Sequence, residues 1–206
     1  MPTARLFLIR HALVEPSARA TLYGDADVAL CALALAADAA CYRWLARRLP
    51  APALWVTTPL QRTRHTAAAI FAAGYPEAAP EVEPALAEQH LGAWQGITHE
   101  ALTERLSHPP HPFWPHGADE RPPGGESISD VIARVGPVLE RLADRVPGGD
   151  AVVVAHGGTI RAAIAHAMAL SPEQALRFSV KNLSLTRLER QDRQWRVASV
   201  NEEPFA

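Results

Sequence analysis

The sequence predicts an α/β fold: a three-layer α/β/α sandwich with a mostly parallel central sheet, one antiparallel edge strand and an inserted lid segment. Three observations carry that expectation. The runs Arg5–Ile9 and Ala151–Ala155 are nearly continuous apolar segments, the pattern of strands buried on both faces. Each ends abruptly in polar residues, Arg10-His11 in the first case and His156-Gly157-Gly158 in the second. Helix-compatible segments separate the strands, as parallel crossovers require.

The chain's 206 residues suit one domain, since cores usually divide only beyond roughly 250–300 residues. We therefore read residues 1–206 as a single domain, with 97–125 as a lid inserted within it. A hydrophobic fraction of 48% and a charged fraction of 20% describe an ordinary globular protein. A net charge of −2 argues against a nucleic-acid partner or an acidic membrane surface. It does not exclude a small anionic ligand, because a site can be locally positive. Cys31 and Cys41 lie ten residues apart in a helix-like stretch, about 1000° of rotation, so they do not share a face and a bond between them is not expected. With neither a secretion-type leader nor an apolar run of membrane-spanning length, the expected location is cytoplasmic. Oligomeric state is not legible, and a homodimer stays open.

Taken in order, Arg5–Ile9 is the first strand, and Ala12–Ala29, with Pro16 and Gly24, is a long loop over its end. The alanine-rich stretch Leu30–Leu49 predicts a helix closed by Pro50 and Pro52. Leu54–Thr57 is a second strand, leading through Thr58-Pro59-Leu60 into a helix at Gln61–Ala73 that Gly74 and Pro76 end. Loop follows, with a short edge strand near Val82 and a short helix over Ile97–Leu106. His108–Gly125 is rich in Pro, Gly and His and is longer than an ordinary connection, which suits a lid. Ile128, Ile132, Val135, Leu139, Leu142 and Val146 recur at helical spacing, and Ser127 with Asp130 resembles a capping box. Pro137 falls inside that helix. After the strand Ala151–Ala155 comes a helix at Ile160–Met168, and Leu183–Leu188 and Trp195–Val200 read as an antiparallel pair.

Arg10 and His11 follow the first strand, Arg62 opens the helix after the second, and His156 follows a later one. In a parallel sheet these ends converge on one crevice, so residues distant in sequence meet there. Arginine offers a rigid fork of donors, and a helix start adds free backbone N–H groups. Two guanidiniums and two imidazoles suit a phosphoryl group.

The chain resembles the histidine phosphatase superfamily, which includes cofactor-dependent phosphoglycerate mutases, over nearly its full length. The resemblance rests on Arg10-His11-Ala12, on Thr57-Thr58-Pro59-Leu60-Gln61-Arg62 through Thr66-Ala67, and on Leu86-Ala87-Glu88 through Gly92-Ala93-Trp94-Gln95-Gly96. It rests also on Pro123-Gly124-Gly125-Glu126-Ser127 and on Val154-Ala155-His156-Gly157-Gly158-Thr159-Ile160-Arg161. It implies His11 as the nucleophile that becomes phosphohistidine, Arg10, Arg62 and His156 as the phosphate clamp, and Glu88 as the proton donor. It implies neither a cofactor nor a metal; His108, His111 and His116 match no zinc spacing and read as polar surface. Two positions depart from the pattern: Ala12 stands for a glycine, and Ser17 for an asparagine that touches phosphate. A hydroxyl can still donate, so Ser17 is a candidate phosphate contact. Tyr23, Phe113 and Trp114 are candidate walls of the substrate pocket.

The implied activity is hydrolysis of a small phosphorylated metabolite. Chain length and the Trp-containing lid before Pro122-Pro123-Gly124-Gly125 resemble the α-ribazole phosphatase branch and related broad-range phosphatases. A phosphomutase would share every site residue, although the lean middle segment favours hydrolysis. A non-catalytic phosphoryl-binding regulator has only Ala12 and Ser17 in its support.

Overall fold

A computed structural model describes residues 2–204. The strands are β1 (Ala4–Arg10), β2 (Leu54–Thr57), β3 (Glu81–Val82), β4 (Asp150–Ala155), β5 (Leu185–Gln191) and β6 (Gln194–Glu202). They form one sheet in the order β3-β2-β4-β1-β5-β6. β1, β2, β3 and β4 are parallel, whereas β5 runs against both β1 and β6. The single reversed strand is thus β5, one place in from the β6 edge. Asp192 and Arg193 both have positive φ, 49° and 63°, and make the tight two-residue turn that a twisted hairpin favours.

The helices are α1 (Pro16–Arg19), α2 (Ala32–Ala37), α3 (Ala39–Arg48), α4 (Gln61–Ala72), α5 (His99–Thr103), α6 (Ile128–Arg145), α7 (Gly157–Met168) and α8 (Pro172–Ala175). They cover both faces of the sheet, which is why its strands lack alternation. Leu6, Leu8, Ala151 and Val153 pack with Val131, Val135 and Leu139 of α6 and Ile160 and Ile164 of α7. Phe7, Ile9, Val152 and Val154 point the other way, onto Tyr42 and Leu45 of α3 and Ala67 and Ile70 of α4. Strand periodicity of two divides each apolar run between the layers.

Two helices differ from the sequence reading. The helix expected over Leu30–Leu49 is two helices meeting at Asp38, a residue ill suited to a helix interior. α2 buries nothing and Leu33 is 84% exposed, so no packing on that segment holds the two in line. α7 starts at Gly157 rather than Ile160, which puts both glycines in its first turn. Ser127 and Asp130 do form the reciprocal capping box of α6, which continues through Pro137.

Candidate active site

Arg10 closes β1 and His11 follows it, 1% exposed, its N–H donating to the Ala155 carbonyl of β4 at 3.0 Å. His156 comes directly after β4 and is fully buried. This pairing of adjacent parallel strands puts the two imidazole centroids 5.2 Å apart, although 145 positions separate them in sequence. Arg62, in the first turn of α4, is also fully buried, and its Nε donates to His156 Nδ1 at 3.3 Å. Its remaining nitrogens donate to the carbonyls of Ala26 (2.6 Å) and Gly24 (2.7 Å), and its guanidinium lies 5.4 Å from the Tyr23 ring centre. Arg10 donates from Nη1 to Val180 O at 2.6 Å, while its buried Nε has no partner. A buried donor left unpaired is costly, and it marks a place where an anion would be welcome.

The His11 ring is oriented by its own chain. Nδ1 donates to the Ala12 carbonyl at 2.7 Å, so the unprotonated nitrogen is Nε2. Asn182 holds the His11 carbonyl from the other side at 2.8 Å. Ala12 has no positive φ, and its N–H donates to Thr66 Oγ1 at 2.9 Å. Alanine in the glycine position therefore carries no backbone strain.

Glu88 reaches the cluster by two backbone donors: its own loop's Gln89 N–H (3.0 Å) and Gly158 N–H (3.1 Å) in the first turn of α7. A Cβ on Gly158 would lie 2.4 Å from Glu88 Oε1, so only glycine lets this carboxylate approach the helix start. The Glu88 loop is clamped by Arg134 of α6, which donates to the carbonyls of Ala85, Ala87 and Glu88 and, bidentately, to Glu126. Glu126 also accepts His90 N–H at 2.9 Å. The Pro-Gly-Gly-Glu-Ser stretch is thus a brace for the loop that carries Glu88. Sequence spacing gave no hint of Arg134 or Asn182.

A third guanidinium was missed as well. Arg161 is 7% exposed, donates to Phe178 O (2.9 Å) and Gly157 O (3.0 Å), and lies 4.6 Å from the Trp114 ring centre. It ends the histidine motif one turn along α7, the signal that could have found it. Burial, with Arg10 beside it, pushes its pKa down to about 10. Burial likewise holds His11 and His156 well below the usual imidazole range, reinforced by Arg62 and Arg10 at His11, and by His11 and the same arginines at His156. Neutral imidazoles among buried guanidiniums make a site that is positive without a bound anion.

A cavity of about 280 Å³ opens from Arg10 and Glu88, walled by Tyr23, Leu22, Leu91 and Trp114. Tyr23 and Trp114 both line this cavity. Phe113 does not: it is 69% exposed and turned from the cavity, because Trp114 takes the inward position against Arg161. Ser17 lies exposed on α1 and is not among the residues lining this cavity. His111 and His116 are buried rather than surface. His116 Nδ1 donates to Gly117 O and its Nε2 accepts the Trp114 indole N–H at 3.3 Å, fixing the wall. Arg64 and His65 are exposed helix residues. Among the described residues, no group of three or more His, Cys, Asp or Glu is arranged to hold a metal, and no helix is long and apolar enough to cross a membrane.

The family model for the histidine phosphatase superfamily (branch 1) matches residues 6–203. The chain belongs to that superfamily. It is 34% identical over 183 residues to a glucosyl-3-phosphoglycerate phosphatase of Mycolicibacterium vanbaalenii, covering 82% of this chain and 76% of the relative. It is 31% identical over 162 residues to a 2,3-bisphosphoglycerate-dependent phosphoglycerate mutase of Methylobacterium sp., covering 77% and 78%. The solved structure of mycobacterial glucosyl-3-phosphoglycerate phosphatase with VO3 superposes with a TM-score of 0.81 at 30% identity, over 96% of this chain and 98% of that one. A candidate alpha-ribazole-5'-P phosphatase from Escherichia coli shares the fold at 20% identity, with a TM-score of 0.79 over 97% of this chain and 96% of that one. The similarity is thus to the superfamily at large and not specifically to the ribazole branch.

The buried imidazoles give this superfamily member an acid-sensitive fold. On unfolding, His11, His156 and His116, all held low by burial, return to about pH 6.5. Above that pH both states are neutral and stability is unaffected. Below it the unfolded chain binds protons that the folded one refuses, and stability falls by up to about 1.4 kcal/mol per pH unit for each histidine. The melting temperature should therefore drop between about pH 7 and 5, before carboxylate protonation contributes. A flat profile across that window would contradict the burial of neutral rings.

Proposed function

We propose that the chain is a phosphomonoesterase that hydrolyses a small phosphorylated metabolite through a phosphohistidine on His11. One observation carries the proposal: the Nδ1 to Ala12 carbonyl bond leaves Nε2 as a free nucleophile amid Arg10, Arg62 and His156. His11 Nε2 attacks phosphorus as the bond to the leaving oxygen breaks, and the Glu88 carboxyl protonates that oxygen. Arg10, Arg62 and His156 spread the charge of the transferring group. A water then gives its proton to the Glu88 carboxylate and attacks phosphorus, the P–N bond breaks, and inorganic phosphate leaves. The segment 97–125 acts as the lid, with Trp114 and Tyr23 walling the space for the alcohol part of the substrate.

The named relatives favour a phosphorylated glycerate derivative over α-ribazole 5'-phosphate. The similarity to a phosphoglycerate mutase supports a second reading, in which the phosphoryl group returns to an acceptor instead of water. Incubation with glucosyl-3-phosphoglycerate, 3-phosphoglycerate and α-ribazole 5'-phosphate separates these. Phosphate release, fastest from the glycerate esters, is the expected result. Isomerisation without release would establish the mutase, and no reaction with any ester would overturn the enzyme reading.

A further inference from the structure

The proton on His156 is fixed by its surroundings. Arg62 Nε lies 3.3 Å from Nδ1, and a guanidinium can only donate, so Nδ1 holds the lone pair. The proton of the neutral ring is then on Nε2, 3.0 Å from Thr58 Oγ1. Thr58 Oγ1 also accepts Leu60 N–H at 3.3 Å, and its hydroxyl proton goes to Thr63 Oγ1, 3.1 Å away. Thr63 accepts Thr58 N–H at 3.2 Å as well, and sends its own proton to the Leu60 carbonyl at 2.9 Å. His156, Thr58, Thr63 and Arg62 are all fully buried. The chain of donors runs one way, from His156 Nε2 to a carbonyl that has no proton to return.

That direction constrains how the ring can meet an anion. With Nε2–H committed to Thr58, only Nδ1 is open to change. As the site stands, Nδ1 accepts from Arg62 and has nothing to offer a phosphoryl oxygen. The groups around the ring are His11, Arg62 and Arg10, with Arg134 further off, all disfavouring a charge on it; Glu88, at Gly158 beside it, and Asp25 and Asp27, which act on Arg62, are acids on the other side of the balance. A bound dianion reverses that balance.

We infer that Thr58 is a positioning residue, pinning Nε2–H of His156 so that phosphoryl binding draws a proton onto Nδ1 while Arg62 moves its Nε donor from that nitrogen to the anion. The proton comes from solvent, the new Nδ1–H donates to a phosphoryl oxygen, and the proton returns to solvent when phosphate departs. No bond to phosphorus changes in this step. The inference rests on the phosphatase reading for the identity of the anion, and it makes His156 a cation only while the site is filled.

Calorimetric titration of the intact protein with inorganic phosphate near pH 8, where phosphate is largely a dianion, tests it when run in buffers of different ionisation enthalpy. The wild type should take up about one proton per phosphate bound, and so should Thr58→Ser, which keeps the hydroxyl. Thr58→Val should take up less than about half a proton, because an unpinned ring can shift its one proton to Nδ1. Its kcat should fall at least about ten-fold, with recovery in Thr58→Ser. Phosphate binding without proton uptake in the wild type, or equal uptake in Thr58→Val, overturns the inference and leaves the phosphatase reading intact. Failure of phosphate to bind at all overturns both. Should Thr58→Val not fold, imidazole nitrogen NMR of the wild type decides. Nε2 alone protonated in the free protein, and both nitrogens with phosphate, is expected; Nδ1 protonated in the free protein overturns it.

Discussion

H11A is expected to lose turnover by at least about 10⁴-fold and to yield no acid-labile phosphoprotein after rapid quenching with a phosphate ester. The size follows from the role. Without the imidazole no atom of the chain can take Nε2's place: His156 has its Nδ1 against Arg62 and its Nε2 on Thr58. Water would have to attack unassisted within an otherwise intact clamp. The variant should fold, because alanine leaves the His11 N–H to Ala155 O and Asn182 to His11 O contacts in place. It should also be less sensitive to acid than the wild type, having one buried imidazole fewer. Retained phosphoprotein labelling in H11A would move the nucleophile elsewhere.

Glu88→Gln should lower kcat by about 10²–10⁴-fold while vanadate still binds, since the change removes proton transfer and leaves the arginines and imidazoles alone. The two carboxylate oxygens each accept a backbone N–H, from Gln89 and Gly158. An amide can satisfy only one of them, so its NH₂ will turn toward the cavity. Loss is therefore expected in kcat and not in affinity for the phosphoryl mimic. Stopped-flow comparison of leaving groups gives the finer check: the defect should shrink as the leaving alcohol becomes more acidic and needs less help. A uniform defect across leaving groups would mean that Glu88 acts on position alone.

Much of this was legible before any coordinates. The apolar runs of β1 and β4 follow from burial on both faces, and the polar residues ending them had to face a crevice or be buried at great cost. His11 and His156 were locatable for that reason, and Arg62 because it opens the helix after β2. The capping box of α6 is a local pattern and was readable as such. Contacts between separate loops were not. Ser17 sits on a turn of helix that faces solvent, and neighbouring Phe113 and Trp114 divide between outside and inside according to where Arg161 lies. His111 and His116, read as surface, are buried within the lid segment.

The sequence by itself determined the sheet's buried strands, the order of the phosphoryl-gripping side chains and the superfamily, because these depend on periodicity and on residue types at fixed local spacing. Tertiary structure alone decided that Glu88 rests on the start of α7, that Arg134 and Glu126 brace its loop, and that Thr58 sets the proton on His156. Those are meetings of segments tens of residues apart, settled by three-dimensional packing that no one-dimensional pattern encodes. Gly158 shows the difference: its place in a motif was visible, but its reason, the room it leaves for a carboxylate, exists only in three dimensions.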